Sequence, residues 1–230
     1  MSKKILFLCS GGGGNLRFIH MAIKKGWLPG WEHICVITDR DCPAGDYAKS
    51  EGMPFACLDF LDEKQQRLLY HAKLWSPDII ITTVHRIIGE NILEEFDGRL
   101  VNLHYSLLPA FAGSIGAIPV KSAMQYGVCL GGATVHRVTK ELDGGQPHAQ
   151  IAFPISSNDL LEELMDIEFR AGCITLLAAL QTHRNKVLSE PGGNDKNGII
   201  VNIKFRNALL NPKITIPSEL GSDNFWLSIK

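Results

Sequence analysis

Three short stretches of the chain gather side chains that could do chemistry. In the first, Val101-Asn102-Leu103-His104-Tyr105-Ser106-Leu107-Leu108-Pro109, an amide and an imidazole are separated by one residue. On an extended strand that spacing puts Asn102 and His104 on one face. An amide N–H beside an imidazole can stabilise an oxyanion and handle a proton near neutral pH. Alone, such a pair also fits a structural histidine satisfied by a backbone carbonyl. In the second stretch, Lys140-Glu141-Leu142-Asp143-Gly144-Gly145, two permissive glycines follow a carboxylate and can present it on a sharply bent backbone. By itself this is an ordinary turn. The third, Ser10-Gly11-Gly12-Gly13-Gly14-Asn15, lies between an apolar run and a helical stretch, where backbone N–H groups and a helix start converge on an anion. The dinucleotide fingerprint fails there because Leu16 holds the third glycine position and no acidic residue lies about 20 positions on. No lysine follows, so a Walker loop is excluded as well. A phosphate on a substrate is the reading; a tight strand-to-helix turn is the alternative.

These stretches need elements to hold them. Apolar, β-branched runs at 5–9, 33–38, 78–84 and 100–104 read as strands, and 16–25, 63–75 and 91–96 carry helical spacing. The alternation predicts an α/β fold: an open, mostly parallel twisted sheet with flanking helices. Asn102 and His104 then fall at the carboxyl end of a strand, where such sheets bind ligands. Beyond residue 130 the pattern changes. Segments 133–139 and 148–155 form an antiparallel or mixed pair around the polar turn. Asp159 with Glu162 makes an acidic variant of a capping box, heading a helix marked by Leu160, Leu164, Ile167, Ala171 and Ile174. Pro191, Gly192 and Gly193 divide a domain at 1–190 from a β-rich extension at 191–230, with strands at 199–205, 213–216 and 225–229.

Composition narrows the function classes. Of 230 residues, 45% are hydrophobic and 20% charged, which excludes a disordered, collagenous or coiled-coil chain. A net charge of -1 gives no basis for gripping phosphate backbones, so a small-molecule partner is expected and no nucleic acid. No stretch approaches the ~18 apolar residues of a membrane span. The apolar run after Lys4 is too short for a signal segment, so a cytoplasmic location is expected. Cys9, Cys35, Cys42, Cys57, Cys129 and Cys173 lack any C-x-x-C pair and read as buried, reduced thiols with no metal site. His85 and His136 read as satisfied core or pocket-rim groups, His148 as a strand-surface residue, and residues 62–67 as a solvated helix face. Trp27, Trp31, Trp75 and Trp226 share no spacing and read as packing.

A strand ending in Asn-x-His, then Ser-Leu-Leu-Pro, then a later Leu-Asp-Gly-Gly, together resemble the folate-dependent formyltransferase family. The resemblance covers residues 3–180. It includes the Ser-Gly-rich-Asn-Leu opening, Arg86-Ile87-Ile88 and Ala133-Thr134-Val135-His136, and is closest to the members that act on glycinamide ribonucleotide. It implies Asn102, His104 and Asp143 as a catalytic trio. It also implies that Arg86, Ile87 and Ile88 line a pteridine pocket through backbone groups, with Thr139, Lys140, Glu141, Leu142 and Asp143 as its other wall. Gly11, Gly12, Gly13, Gly14 and Asn15 would hold a substrate phosphate, and 10-formyltetrahydrofolate would donate a formyl group to a primary amine.

Departures from the family concern the acceptor. Gly172 stands where the purine enzymes place a glutamate that grips ribose, Tyr105 replaces a proline, and the segment after Gly113 differs. These features favour a nucleotide-linked amino sugar as acceptor. Glycinamide ribonucleotide is the alternative, as is water in a deformylase, although deformylases normally carry an additional N-terminal regulatory domain. The extension is expected to help form the acceptor pocket or a homodimer contact.

Overall fold

The computed structural model describes residues 2–61, 65–183 and 198–229. They fall into two compact units, Met1–Asn102 and Leu103–Lys230.

Unit 1 grows around β1 (Lys3–Cys9), whose residues 5–9 are buried on both faces, as a central strand of a parallel sheet requires. β1 pairs in parallel with β2 (Trp31–Thr38) on one side and β4 (Ile79–Thr83) on the other. β3 (Phe55–Cys57) extends the β2 edge and β5 (Leu100–His104) the β4 edge, giving the order β3-β2-β1-β4-β5. The crossovers carry α1 (Gly14–Lys24), α2 (Pro43–Ser50), α3 (Gln66–Trp75) and α4 (Glu90–Glu95). Parallel strands align their carboxyl ends, so the loops after β1, β2 and β4 emerge together. β5 matches its expected span residue for residue. β3 and α2 were not expected, and residues 62–64 of the expected helix face lie outside the described residues.

Unit 2 is antiparallel. β6 (Leu130–Arg137) pairs with β7 (Pro147–Pro154), β7 with β9 (Arg206–Asn211), and β9 with β8 (Ile199–Ile203). α5 (Ile118–Tyr126) precedes β6, and α6 (Leu161–Thr182) packs on β6 and β7 with every residue from 170 to 180 buried. The open, mostly parallel α/β class with added carboxyl-terminal strands is therefore the one expected.

Several local expectations fail. Asp159 does not cap α6, whose N-cap is Leu160 without a side-chain bond. Its carboxylate instead takes the Ser156 N–H at 2.8 Å and the Arg206 guanidinium, with Nη1 at 2.8 Å. Residues 213–216 form no strand, and most of 225–229 belongs to α7 (Asp223–Ser228) rather than to a strand. Here Trp226 is fully enclosed. Its indole N–H donates to the Leu220 carbonyl at 2.9 Å, Phe169 and Phe225 meet its ring edge-on, and the Arg170 guanidinium lies 5.3 Å from the ring centre. The expected boundary at 190/191, with Pro191, Gly192 and Gly193, lies outside the described residues.

All six cysteines are free thiols, but only Cys9, Cys35 and Cys173 are buried; Cys57 and Cys129 are exposed. Burial pushes the Cys9 thiol up to about 12. Among the described residues no helix is long and apolar enough to cross a membrane.

Candidate active site

Unit 2 builds its polar centre on Asp143. The turn after β6 holds this residue in the left-handed region at φ 53°, a conformation Asp tolerates better than most side chains. Gly145 is what lets the turn close: a Cβ there would fall 1.8 Å from the Arg137 carbonyl oxygen, so only glycine fits. The Asp143 carboxylate is buried and has three neighbours. Its Oδ2 accepts the Gly113 N–H at 2.8 Å and faces His104 Nδ1 at 3.5 Å, while Oδ1 faces His136 Nε2 at 3.4 Å.

His104, the last residue of β5, is 5% exposed, and its Nε2 lies 3.1 Å from the Phe111 carbonyl. Both neighbours of this ring are acceptors, the Phe111 carbonyl and the Asp143 carboxylate. The loop that supplies Phe111 is fixed from β6. The Thr134 hydroxyl donates to Ser106 O at 2.7 Å and accepts the Leu108 N–H at 3.2 Å. Asn102, two residues before His104 on β5, is half-buried on the same side of that strand.

His136 is more than the satisfied rim group expected. Its Nδ1 lies 2.9 Å from the Arg137 carbonyl, so Nδ1 carries the hydrogen. Burial holds this imidazole below the usual histidine range, against the pull of the Arg137 carbonyl and Asp143, so the neutral form dominates. Its Nε2 stands 3.4 Å from the Asp143 carboxylate, so the two groups are placed to share a proton. The signal in the sequence was the even spacing of Thr134 and His136 along β6, which puts both on one face.

His148, expected on the strand surface, is instead partly enclosed on β7 with a buried Nε2 that lacks a hydrogen-bond partner. Burial first, then the His183, His136 and Arg137 charges, push it down to about 4.

Apart from Asn102 at its last position, unit 1 contributes backbone rather than side chains. Gly13 takes φ 74° ahead of α1, and a Cβ on it would meet Ala44 at 2.9 Å. Gly11 and Gly12 have nothing within 4 Å of such a Cβ, leaving the approach to the α1 start open. The strip 86–88 follows β4, with Ile87 80% exposed and Ile88 buried. Its backbone is pinned by Gln65, which donates to the Ile87 carbonyl at 2.9 Å and accepts the Gly89 N–H at 2.9 Å. Gln65, expected on a solvated helix face, is instead buried, because its amide turns inward to backbone groups. His85 is exposed at this end, and its backbone N–H is bonded to Ser10 Oγ. In unit 2, Thr139 bonds across the turn to Glu141 O at 3.1 Å, and Lys140, Glu141 and Leu142 are exposed.

The two departures noted at Tyr105 and Gly172 are one packing event. A Cβ on Gly172 would lie 2.6 Å from Tyr105 Cε1, so the tyrosine ring fills the space a side chain would need. One turn earlier on α6, Glu168 is buried, with Oε1 accepting the Gly132 N–H at 3.3 Å and Oε2 unpartnered. Burial raises its carboxyl well above the usual range.

A histidine-flanked aspartate beside the end of an Asn-x-His strand can stabilise an oxyanion and move a proton, which is what transfer of an acyl group to an amine requires. The family described as formyl transferase matches residues 3–179, and the chain belongs to it. Over 170 residues it is 31% identical to the chloroplastic phosphoribosylglycinamide formyltransferase of Vigna unguiculata, covering 70% of this chain and 54% of that protein. The chain thus spans about half the length of that relative. It is 31% identical over 189 residues to phosphoribosylglycinamide formyltransferase of Mycobacterium tuberculosis H37Rv, covering 78% of this chain and 86% of the relative. The crystal structure of phosphoribosylglycinamide formyltransferase from Bacillus halodurans superposes with a TM-score of 0.71 at 29% identity, covering 82% of this chain and 96% of that one.

Proposed function

We propose that this chain transfers the formyl group of 10-formyltetrahydrofolate to the primary amine of glycinamide ribonucleotide. The observation that carries the reading is the His104–Asp143–His136 cluster at 3.5 and 3.4 Å, built next to Asn102 on β5. The folate fits the residues available to it. A backbone strip held still by Gln65, with an exposed apolar Ile87, suits a flat heterocycle that takes hydrogen bonds from main-chain groups. When bound, it supplies an activated formyl carbon.

The chain's own residues do the rest. The Asn102 amide and the His104 imidazolium stabilise negative charge growing on the formyl oxygen. For that, His104 Nε2 exchanges the Phe111 carbonyl for the formyl oxygen when the donor binds. Asp143 takes the proton lost by the attacking amine and returns it to the departing nitrogen, with neutral His136 holding it in between. Residues 11–15 take the acceptor's phosphate at the start of α1.

The amino-sugar acceptor expected from Gly172 gives way to glycinamide ribonucleotide. Position 172 is closed by Tyr105, so the missing side chain there reflects packing. Glu168, with one oxygen unpartnered, offers the carboxyl group for the acceptor's ribose hydroxyls instead. The relatives named above support the same acceptor. Assays with the folate donor and either glycinamide ribonucleotide or a nucleotide-linked amino sugar test the reading. The expected kcat/KM for glycinamide ribonucleotide is about 10⁴ M⁻¹s⁻¹ or higher. Preference for the amino sugar, or release of formate without any amine, overturns it.

A further inference from the structure

The carboxyl ends of β2, β1 and β4, neighbours in the sheet of unit 1, converge on Asp39. This residue follows β2, and its side chain is 1% exposed. Its backbone N–H donates to Cys9 O at 3.3 Å, which fixes it against the end of β1. Its carboxylate takes a two-pronged grip from Arg40, with Nε at 3.0 Å and Nη2 at 2.8 Å. Arg86 Nε stands 3.6 Å from the same group, and the Ser10 hydroxyl donates to it. Ser10 Oγ in turn accepts the His85 N–H at 3.0 Å.

Burial would push the Asp39 carboxyl up, but the Arg40 and Ser10 hydrogen bonds and the two guanidinium charges outweigh it and hold the group below the usual carboxylate range. Arg40 alone already satisfies a carboxylate geometrically. What the further partners add is connection, because Ser10 opens the glycine loop and Arg86 opens the 86–88 strip. One buried anion joins both, directly through Arg86 and again through the Ser10–His85 bond.

We propose that Asp39 is a positioning residue that couples the glycine loop to the 86–88 strip, so that a ligand ordering one loop prepares the other. The inference rests on the reading of the two loops as acceptor and folate sites. A folate seated on the strip restrains Arg86 and His85, hence the Asp39 carboxylate and the Ser10 hydroxyl, before the acceptor's phosphate arrives. The ordering of the network is then met once rather than twice. Linkage makes the effect reciprocal: whatever factor folate contributes to acceptor affinity, the acceptor contributes to folate affinity.

Calorimetric titration of the full chain tests this, using a folate analogue that cannot transfer its formyl group and glycinamide ribonucleotide, each alone and then in the other's presence. In the unaltered protein each ligand tightens the other about 5-fold or more. Asp39→Asn keeps the size of the side chain but releases the guanidiniums, and coupling falls to unity while each ligand still binds alone. Ser10→Ala removes both the hydroxyl bond to Asp39 and the bridge to His85 while leaving the guanidiniums on Asp39, lowers coupling in the same direction, and serves should Asp39→Asn fold poorly. Independent binding in the unaltered protein, or undiminished coupling in either variant, overturns the inference even though both ligands bind. A purely structural Asp39 would give that second result, with thermal stability lost and coupling kept. If neither ligand binds the unaltered protein, the reading of the two loops falls, and the inference with it.

Discussion

The two units solve different problems with different materials. Unit 1 offers ligands its main chain: a glycine loop at a helix start and a strip whose carbonyl and amide are tied down by Gln65. Its polar side chains, Ser10, Asp39 and Gln65, face inward and hold that backbone in shape. Unit 2 offers side chains: a carboxylate between two imidazoles, each ring fixed by a backbone carbonyl. Binding groups can be generic because main-chain amides are everywhere, whereas groups that move a proton must be particular residues at particular distances. The contrast predicts that damage to the glycine loop or the 86–88 strip appears in KM and damage to His104, Asp143 or His136 in kcat.

The largest test falls on unit 2. Asp143→Asn keeps an acceptor for the Gly113 N–H but cannot take a proton, and turnover should fall by about 10²- to 10³-fold with KM and melting temperature little changed. A KM effect with normal turnover would break the comparison. In unit 1, Gln65→Ala removes three hydrogen bonds to backbone groups, two of them at the strip and one to Phe60 O, each of net worth about 0.5–1.5 kcal/mol. The folate KM should rise by about 10-fold with kcat nearly intact, since 1.4 kcal/mol is a factor of ten. A matching loss of kcat would mean that the strip does chemistry and not only binding.

The smallest effect concerns pH and sharpens where acid attacks. His148 titrates near 4 in the folded chain against an ordinary value of 6.5. The unfolded chain therefore binds this proton first, and stability drops as pH falls from about 6.5 to about 4. Burial of His136 acts in the same direction. Urea melts of His148→Gln between pH 7 and pH 4 should show a flatter acid limb than the unaltered chain, with equal stability at pH 7. An unchanged limb would place the acid sensitivity elsewhere.

Much of this contrast was legible in the residues. β1 and β5 announce themselves by unbroken apolar runs, and Asn102, His104 and Asp143 by motif. What escaped was set by distant partners. Asp159 followed by Glu162 has the form of a cap, but Arg206, 47 residues on, takes the carboxylate. The run 225–229 reads as a strand because its residues are apolar, yet they are apolar to cover Phe169 and Arg170 of α6 as a helix. α2 begins Pro43-Ala44-Gly45-Asp46, a composition that signals a turn until Pro43 is seen in the first helical turn, where its missing N–H costs nothing. Gly172 suggested a lost ligand contact, and only the position of Tyr105 reveals a filled one. His136 and Gln65 act through geometry that no spacing rule reports.

The enclosure of Trp226 gives the protein an optical label at its carboxyl-terminal end. Three of the four tryptophans, Trp27, Trp31 and Trp75, belong to unit 1, and Trp226 alone belongs to unit 2. Replacing those three with Phe leaves a single indole, sealed from water and roofed by a guanidinium. Its emission lies to the blue while α7 is seated and moves red when water reaches the ring. Detachment of the tail can thus be followed by light alone, apart from the melting of the parallel sheet.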